Sequence, residues 1–243
     1  LLAVLAEEEP RILAVGEAHA QRGSEGVPSA TRRFTEQLLP LLRERARDIV
    51  LELPVASGRC GASEKRIEAT VRRSVTAAQA ESNKPELVTL GERARALGIE
   101  AHVLRPTCED FATVARAGGD QSVLEMLTLV TRLTAEALER LVFSRGRAGD
   151  ERLVVSYGGA MHNDVSPAPG REAWSFGARL RERTGGRYVE LDIIVPEYIR
   201  DTDSWRRLRW VAHYDRARLG SHATLFKLEP GSYVLVFAAT ATP

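Results

Sequence analysis

Short apolar runs alternate with segments of helical periodicity along most of this chain, and that alternation restricts its fold more than any other feature. Residues 11–15 (RILAV) read as a first strand and 48–54 (DIVLELP) as a second, closed by Pro54. Residues 99–104 (IEAHVL), 152–159 (RLVVSYGG) and 187–199 (RYVELDIIVPEYI) read as a third, fourth and fifth. Between the first two, residues 29–47 set Phe34, Leu38, Leu39, Leu41, Leu42 and the stem of Arg45 on a mostly helical stripe. Ser29 or Thr31 suits its N-cap, and Pro40 should kink or break it. Further helices are expected over about 64–80, over 86–98 with Gly98 as a C-terminal cap, over 120–146, and over 175–186. In the 120–146 helix, Leu124, Leu127, Val130, Leu133, Leu138, Leu141 and Val142 lie on or near one face.

Strands that alternate with helices require crossover connections, which make neighbouring strands parallel and place helices on both faces of the sheet. The last stretch breaks the rhythm, because residues 223–240 read as two strands joined by the turn EPGS. The expected architecture is a single α/β domain over 1–243. It has a mostly parallel sheet in a core of about 11–199 and a small C-terminal β hairpin addition at about 220–240. The chain holds no internal repeat and no low-complexity tract.

Hydrophobic residues at 44% and charged residues at 28% supply a sizeable core and an ordinary globular surface. A formal net charge of +1 excludes a general polyanion binder, so no nucleic-acid partner is expected. No apolar run approaches the roughly 20 residues that span a bilayer, so no transmembrane segment is expected. The opening LLAVLA lacks a basic leader and is not an intact signal peptide, and its abrupt start leaves room for a trimmed targeting segment. Cys60 and Cys108 form no CxxC pair, which argues against a sulfur-built zinc site. Each follows an expected strand. If those strands are parallel neighbours, both thiols lie at one edge of the sheet, which allows a disulfide and an oxidising compartment; two unpaired thiols are the other reading.

In an open parallel sheet, functional groups collect outside the carboxyl ends of the strands. Strand one runs into Gly16-Glu17-Ala18-His19, strand two contains Glu52 in an apolar run, and strand four runs into Tyr157, two glycines, His162 and Asp164. Two imidazoles and two carboxylates thus arrive at one edge from three separate segments, as a metal site or an acid–base centre needs. Tyr157 reads first as a strand-end packing residue and His102 as a core or face histidine. His213 and His222 have no partner acid at telling spacing.

The segments VGEAHA, IVLELP and YGGAMH resemble the superfamily of Tiki-type metalloproteases, TraB/PrgY proteins, erythromycin esterase and ChaN-like haem-binding lipoproteins. The resemblance covers these short motifs and the order of elements from about 11 to 195, and leaves the C-terminal 45 residues unaccounted for. It implies that Glu17 and His19 form a first motif, Glu52 a second and His162 a third. The implied function is hydrolysis of an amide or ester bond in a small-molecule or peptide substrate. All four residues are then catalytic, and all four are ligands if a divalent metal takes part. The ChaN-like branch implies an alternative, a haem-binding protein of iron uptake with Tyr157 or His162 as axial ligand. The chain departs from a clear haem signature, with no CxxCH motif and aromatic residues at 6%, and neither departure excludes non-covalent haem. An inactive member kept for partner binding is the third reading. Arg32 and Arg33 are candidates for an anionic substrate group or a haem propionate, with at least one expected at the surface. Export, to the periplasm or as a lipoprotein, is expected over the cytoplasm.

Overall fold

The computed structural model describes residues 1–24, 26–55, 58–74, 76, 78–143 and 149–240. Seven strands form one sheet: β1 (Ile12–Glu17), β2 (Ala46–Pro54), β3 (Glu100–Leu104), β4 (Leu153–Gly159), β5 (Tyr188–Ile194), β6 (Thr224–Glu229) and β7 (Ser232–Val236). Their order is β3-β2-β4-β1-β5-β7-β6. Every neighbouring pair is parallel except the antiparallel β6–β7 hairpin. The expected mostly parallel α/β architecture is what forms, and the hairpin extends the main sheet because β7 lies parallel against β5.

The helices are α1 (Leu2–Glu8), α2 (Ala30–Arg33), α3 (Ala62–Ser74), α4 (Asn83–Ala96), α5 (Cys108–Ala117), α6 (Gly119–Phe143), α7 (Ala160–Asn163) and α8 (Gly177–Arg183). Short turns at 203–206 and 216–219 follow. Every residue of β1 is buried because both faces of the sheet are covered. Leu13 and Val15 face a layer containing Phe34, Leu38, Leu39, Leu42 and Leu90. Ile12 and Ala14 face Val130, Leu138 and Leu141 of α6 and Leu180 of α8.

The single helix expected over 29–47 is broken into pieces. Ser29 caps it as expected, its Oγ accepting from the Arg32 N–H at 3.0 Å. After α2 the chain widens into a π turn at Phe34–Leu38 and tightens into a 3-10 turn at Leu39–Leu42. Pro40 has no N–H to give the ladder and its ring crowds the preceding turn, so a regular helix cannot pass through it. β2 then opens at Ala46 rather than 48. Helix α3 occupies 62–74, and residues 75 and 77 of the expected 64–80 segment lie outside the described residues, as do 144–146 of the long helix. Gly98 adopts φ 78°, the left-handed conformation its capping role requires. Helix α5 was not expected. Its signal is a capping box, with the Asp110 N–H donating to Thr107 Oγ1 at 3.2 Å and the Thr107 N–H to Asp110 Oδ2 at 2.7 Å. Strand five stops at Ile194, ahead of a 3-10 turn opened by Pro196.

Cys60 and Cys108 are joined, with Cα atoms 5.1 Å apart. Each follows a strand of the parallel β2–β3 pair, the condition under which the sequence allowed a bridge. No helix of the described residues is long and apolar enough to cross a membrane.

The connection leaving β1 packs Phe34 on one face of the sheet, whereas the connection leaving β4 packs Phe176 and Leu180 on the other. Neighbouring strands that send their chains to opposite faces open a crevice at their carboxyl ends. Here that crevice lies between β1 and β4.

Candidate functional site

Two acid–imidazole pairs meet at this crevice, one rising from each face of the sheet. Glu17 ends β1 on the face of Val15 and is 4% exposed. A buried carboxylate needs partners, and three are present. Thr31 of α2 donates to Glu17 Oε2 at 3.1 Å, the Tyr157 hydroxyl donates to the same oxygen at 3.0 Å, and His19 Nδ1 lies 2.8 Å from Oε1. Tyr157 packs its ring on Phe34 with centroids 4.8 Å apart, which sets the height of its hydroxyl. Burial, followed by the charge of Glu17, pushes the Tyr157 phenol well above its usual range, so it stays a donor. Burial alone would lower His19. The hydrogen bond and charge of Glu17, helped by the charge of Glu52, outweigh it and raise the imidazole to about 9. His19 is therefore an imidazolium at neutral pH, with Nδ1–H on Glu17 and Nε2–H directed away from it.

The second pair comes from the other face. Gly158 and Gly16 stand side by side in the sheet, and each lacks a side chain because something else fills its place. A Cβ on Gly158 would lie 2.7 Å from Glu52 Cβ, and one on Gly16 would lie 2.7 Å from the backbone of Ala160. The glycines make the trough in which Glu52 and α7 sit. Glu52 Oε2 accepts the Gly159 N–H at 2.6 Å, and Oε1 lies 3.5 Å from His162 Nε2. Asn163 fastens α7 by donating to the Ala14 carbonyl and to Asp192 Oδ1, each at 3.2 Å.

His162 is oriented by residues the sequence did not single out. Its Nδ1 lies 2.8 Å from Thr131 Oγ1 on α6 and 2.9 Å from the Trp174 carbonyl. A carbonyl only accepts, so Nδ1 carries a proton, and Nε2 is the nitrogen turned toward Glu52. A threonine within a helix, facing a histidine from another element, leaves no local pattern in a sequence.

The pairs converge on Gly159. A Cβ there would lie 3.6 Å from both Glu52 Oε2 and His19 Nε2, and 3.8 Å from His162 Cδ2. Glu17, His19, Glu52 and His162 thus share one site, with both imidazoles turned toward it. Tyr157 packs, as expected, and also holds Glu17. The two arginines separate: Arg33 is buried, donating to the Pro28 carbonyl at 3.0 Å and to Thr240 Oγ1 at 2.8 Å, which ties down the C-terminal end. Arg32 is the surface arginine, paired with Glu36 at 2.9 Å. It also lines a cavity of about 200 Å³ with Ala20, Ser24, Ser29 and Glu86, beside the segment that carries His19.

Among the described residues, the histidine and carboxylate donors that come within 4.8 Å of one another as a set of three are Asp48, Glu100 and His102, at the opposite end of the sheet. In the crevice Glu17 and Nδ1 of each histidine are held by protein partners, which leaves Nε2 of His19, Nε2 of His162 and Glu52 Oε1 as the donors that would hold a divalent ion. Tyr157 is 1% exposed, with its hydroxyl donated to Glu17.

No protein-family model matches the chain, and no curated protein matches it. Among solved structures, the type III effector HopBA1 is similar over 98% of this chain and 92% of its own, at 11% identity and a TM-score of 0.47. RRSP, a MARTX toxin effector domain from Vibrio vulnificus CMCP6, is similar over 67% of this chain and 30% of its own, at 21% identity and a TM-score of 0.35. A protein from Bacillus cereus is similar over 76% of this chain and 66% of its own, at 12% identity and a TM-score of 0.36. At these scores the likenesses are distant.

Proposed function

We propose that the protein is a hydrolase of an amide or ester bond, of the kind implied by its resemblance to the Tiki and erythromycin-esterase superfamily. The observation that carries this reading is the geometry of the two imidazoles facing Gly159: Glu17 holds Nδ1 of His19, the Trp174 carbonyl holds Nδ1 of His162, and Glu52 lies beside Nε2 of His162. His162, with its proton on Nδ1, offers Nε2 as a base beside the Glu52 carboxylate. A water entering between them loses a proton to Nε2 as its oxygen attacks the substrate carbonyl, and Glu52 stabilises the imidazolium that forms. His19, already an imidazolium, directs Nε2–H to the carbonyl oxygen and stabilises the negative charge that develops there. His162 then returns its proton to the leaving nitrogen or oxygen. The cavity beside His19 supplies room for a substrate group, and Arg32 at its wall suits an anionic one. The disulfide supports folding in an oxidising compartment, in keeping with an exported protein.

The test is turnover of a panel of p-nitrophenyl esters and chromogenic peptide amides by the wild type, His162→Ala and Glu52→Ala, with circular dichroism to verify the fold. Wild-type turnover lost in both variants is the expected result. Equal rates in all three proteins on every compound would overturn the assignment.

A further inference from the structure

The donors that do gather tightly lie at the amino-terminal end of the sheet, away from the crevice. Register puts them there. Asp48 of β2 is paired with Glu100 at the start of β3, and Val50 with His102. Side chains two apart on a strand point to the same face, so Glu100 and His102 flank one side of the sheet and Asp48 meets them from the neighbouring strand. One donor atom from each lies within 4.8 Å of the other two. His102 Nε2 and Asp48 Oδ1 are 2.8 Å apart. Adjacent ligands of a first-row ion stand roughly 3 Å apart when the bonds are about 2.1 Å, so these two atoms need to move by only a few tenths of an ångström.

We propose that Asp48, Glu100 and His102 form a binding site for a divalent transition metal such as zinc. One imidazole and two carboxylates form a mixed nitrogen–oxygen donor set that suits such an ion. Asp48 is rigidly presented: it is fully buried, and Arg47 Nε donates to its other oxygen, Oδ2, at 2.8 Å. Arg47 is itself held by the Asp150 carbonyl at 2.8 Å, so it orients the ligand as a supporting hydrogen-bond partner does in metal sites. Arg47 holds Asp48 by Oδ2, which leaves Oδ1 turned toward His102. The way in is open. β3 is the last strand on its side of the sheet, Glu100 is exposed, and the His102 side chain keeps 26% of its surface. When the ion binds, it replaces the proton between His102 and Asp48, and water completes the coordination shell.

The alternative is a plain buried ion pair, in which His102 answers Asp48 and Glu100 has no part. Isothermal titration of the tag-free full chain with zinc chloride separates the two. The expected result is one ion per chain, weakened at least tenfold by Glu100→Gln and lost in His102→Ala, with His162→Ala binding as the wild type does. Thermal melts of the same variants without zinc show whether each still folds, and Glu100→Gln, at an exposed strand position, is chosen to keep the fold. No zinc binding by the wild type, or equal binding by folded Glu100→Gln, would overturn the proposal. Loss of binding in His162→Ala would place the ion in the crevice instead and overturn it equally.

Discussion

Replacing Glu17 with glutamine probes the electrostatics of the crevice with almost no change in shape. The amide still accepts or donates toward Thr31, Tyr157 and His19, which approach the carboxylate within 3.1 Å. What disappears is the charge. His19 owes its rise from 6.5 to about 9 to a contest that burial alone would lose. That rise corresponds to roughly 3 kcal/mol favouring the imidazolium, and most of it should go with the carboxylate, leaving the smaller pull of Glu52. The folded-state value lies above the unfolded one. The pair therefore contributes its full stabilisation below 6.5 and loses it as pH rises through about 9. Wild-type stability should accordingly fall between those limits, and Glu17→Gln should flatten that part of the profile. Proton NMR titration of the histidine Cε1–H signals, assigned by comparison with His19→Ala, gives the first readout. Urea unfolding at about pH 6 and about pH 10 gives the second. Turnover should collapse at neutral pH, where the variant's His19 no longer offers two N–H groups. An imidazole that still titrates near its wild-type value in Glu17→Gln would refute the claim that Glu17 sets the proton state of the site.

Gly158→Ala should lower stability by roughly 1–3 kcal/mol and abolish turnover, because its Cβ displaces Glu52; chemical denaturation beside a rate assay checks both. Thr131→Val keeps the shape of the residue behind His162 and removes its hydroxyl, costing about 1 kcal/mol of orientation. The expected sign is a several-fold fall in kcat with KM little changed. Asp192→Asn should raise stability at mildly alkaline pH, read from denaturation midpoints. Burial pushes the Asp192 carboxyl up to about 7, so the folded state resists its ionisation as pH rises. Cys60→Ser with Cys108→Ser opens a 48-residue separation and should cost roughly 4 kcal/mol through the entropy of the unfolded chain, visible as a lower melting temperature.

Much of the fold could be read from local pattern because strands buried on both faces are mostly apolar and the helices between them are amphipathic. The failures have local causes as well. The helix over 29–47 has the right stripe, but Pro40 removes a hydrogen bond, and the chain answers with π and 3-10 turns. Helix α5 announces itself only through Thr107 and Asp110, a signal easily taken for a loop. Leu124 fits the stripe of the long helix by spacing yet is 37% exposed, because the packed face is turned toward Leu129, Leu138 and Leu141. The short helices after 200 carry too few residues for any period to show.

The site divides along the same line. Glu17, His19, Glu52 and His162 could be named from the order of residues, because a parallel sheet delivers strand ends to one edge and these strand ends carry ionisable groups. Their pairing could not. Which acid meets which imidazole depends on the order β2-β4-β1, which sets β4 between the other two and sends the connections after β1 and β4 to opposite faces. The orientation of the site's acids and histidines depends on Thr31, Tyr157, Thr131 and the Trp174 carbonyl, through contacts up to 140 residues apart in sequence. His102 makes the same point at the far end of the sheet: it reads as a face histidine until register sets it against Asp48. Periodicity reports which way a side chain points, because each residue carries that information in its own spacing. Partnership at long range belongs to the packed chain, because only the closing of the sheet brings the partners within hydrogen-bonding distance.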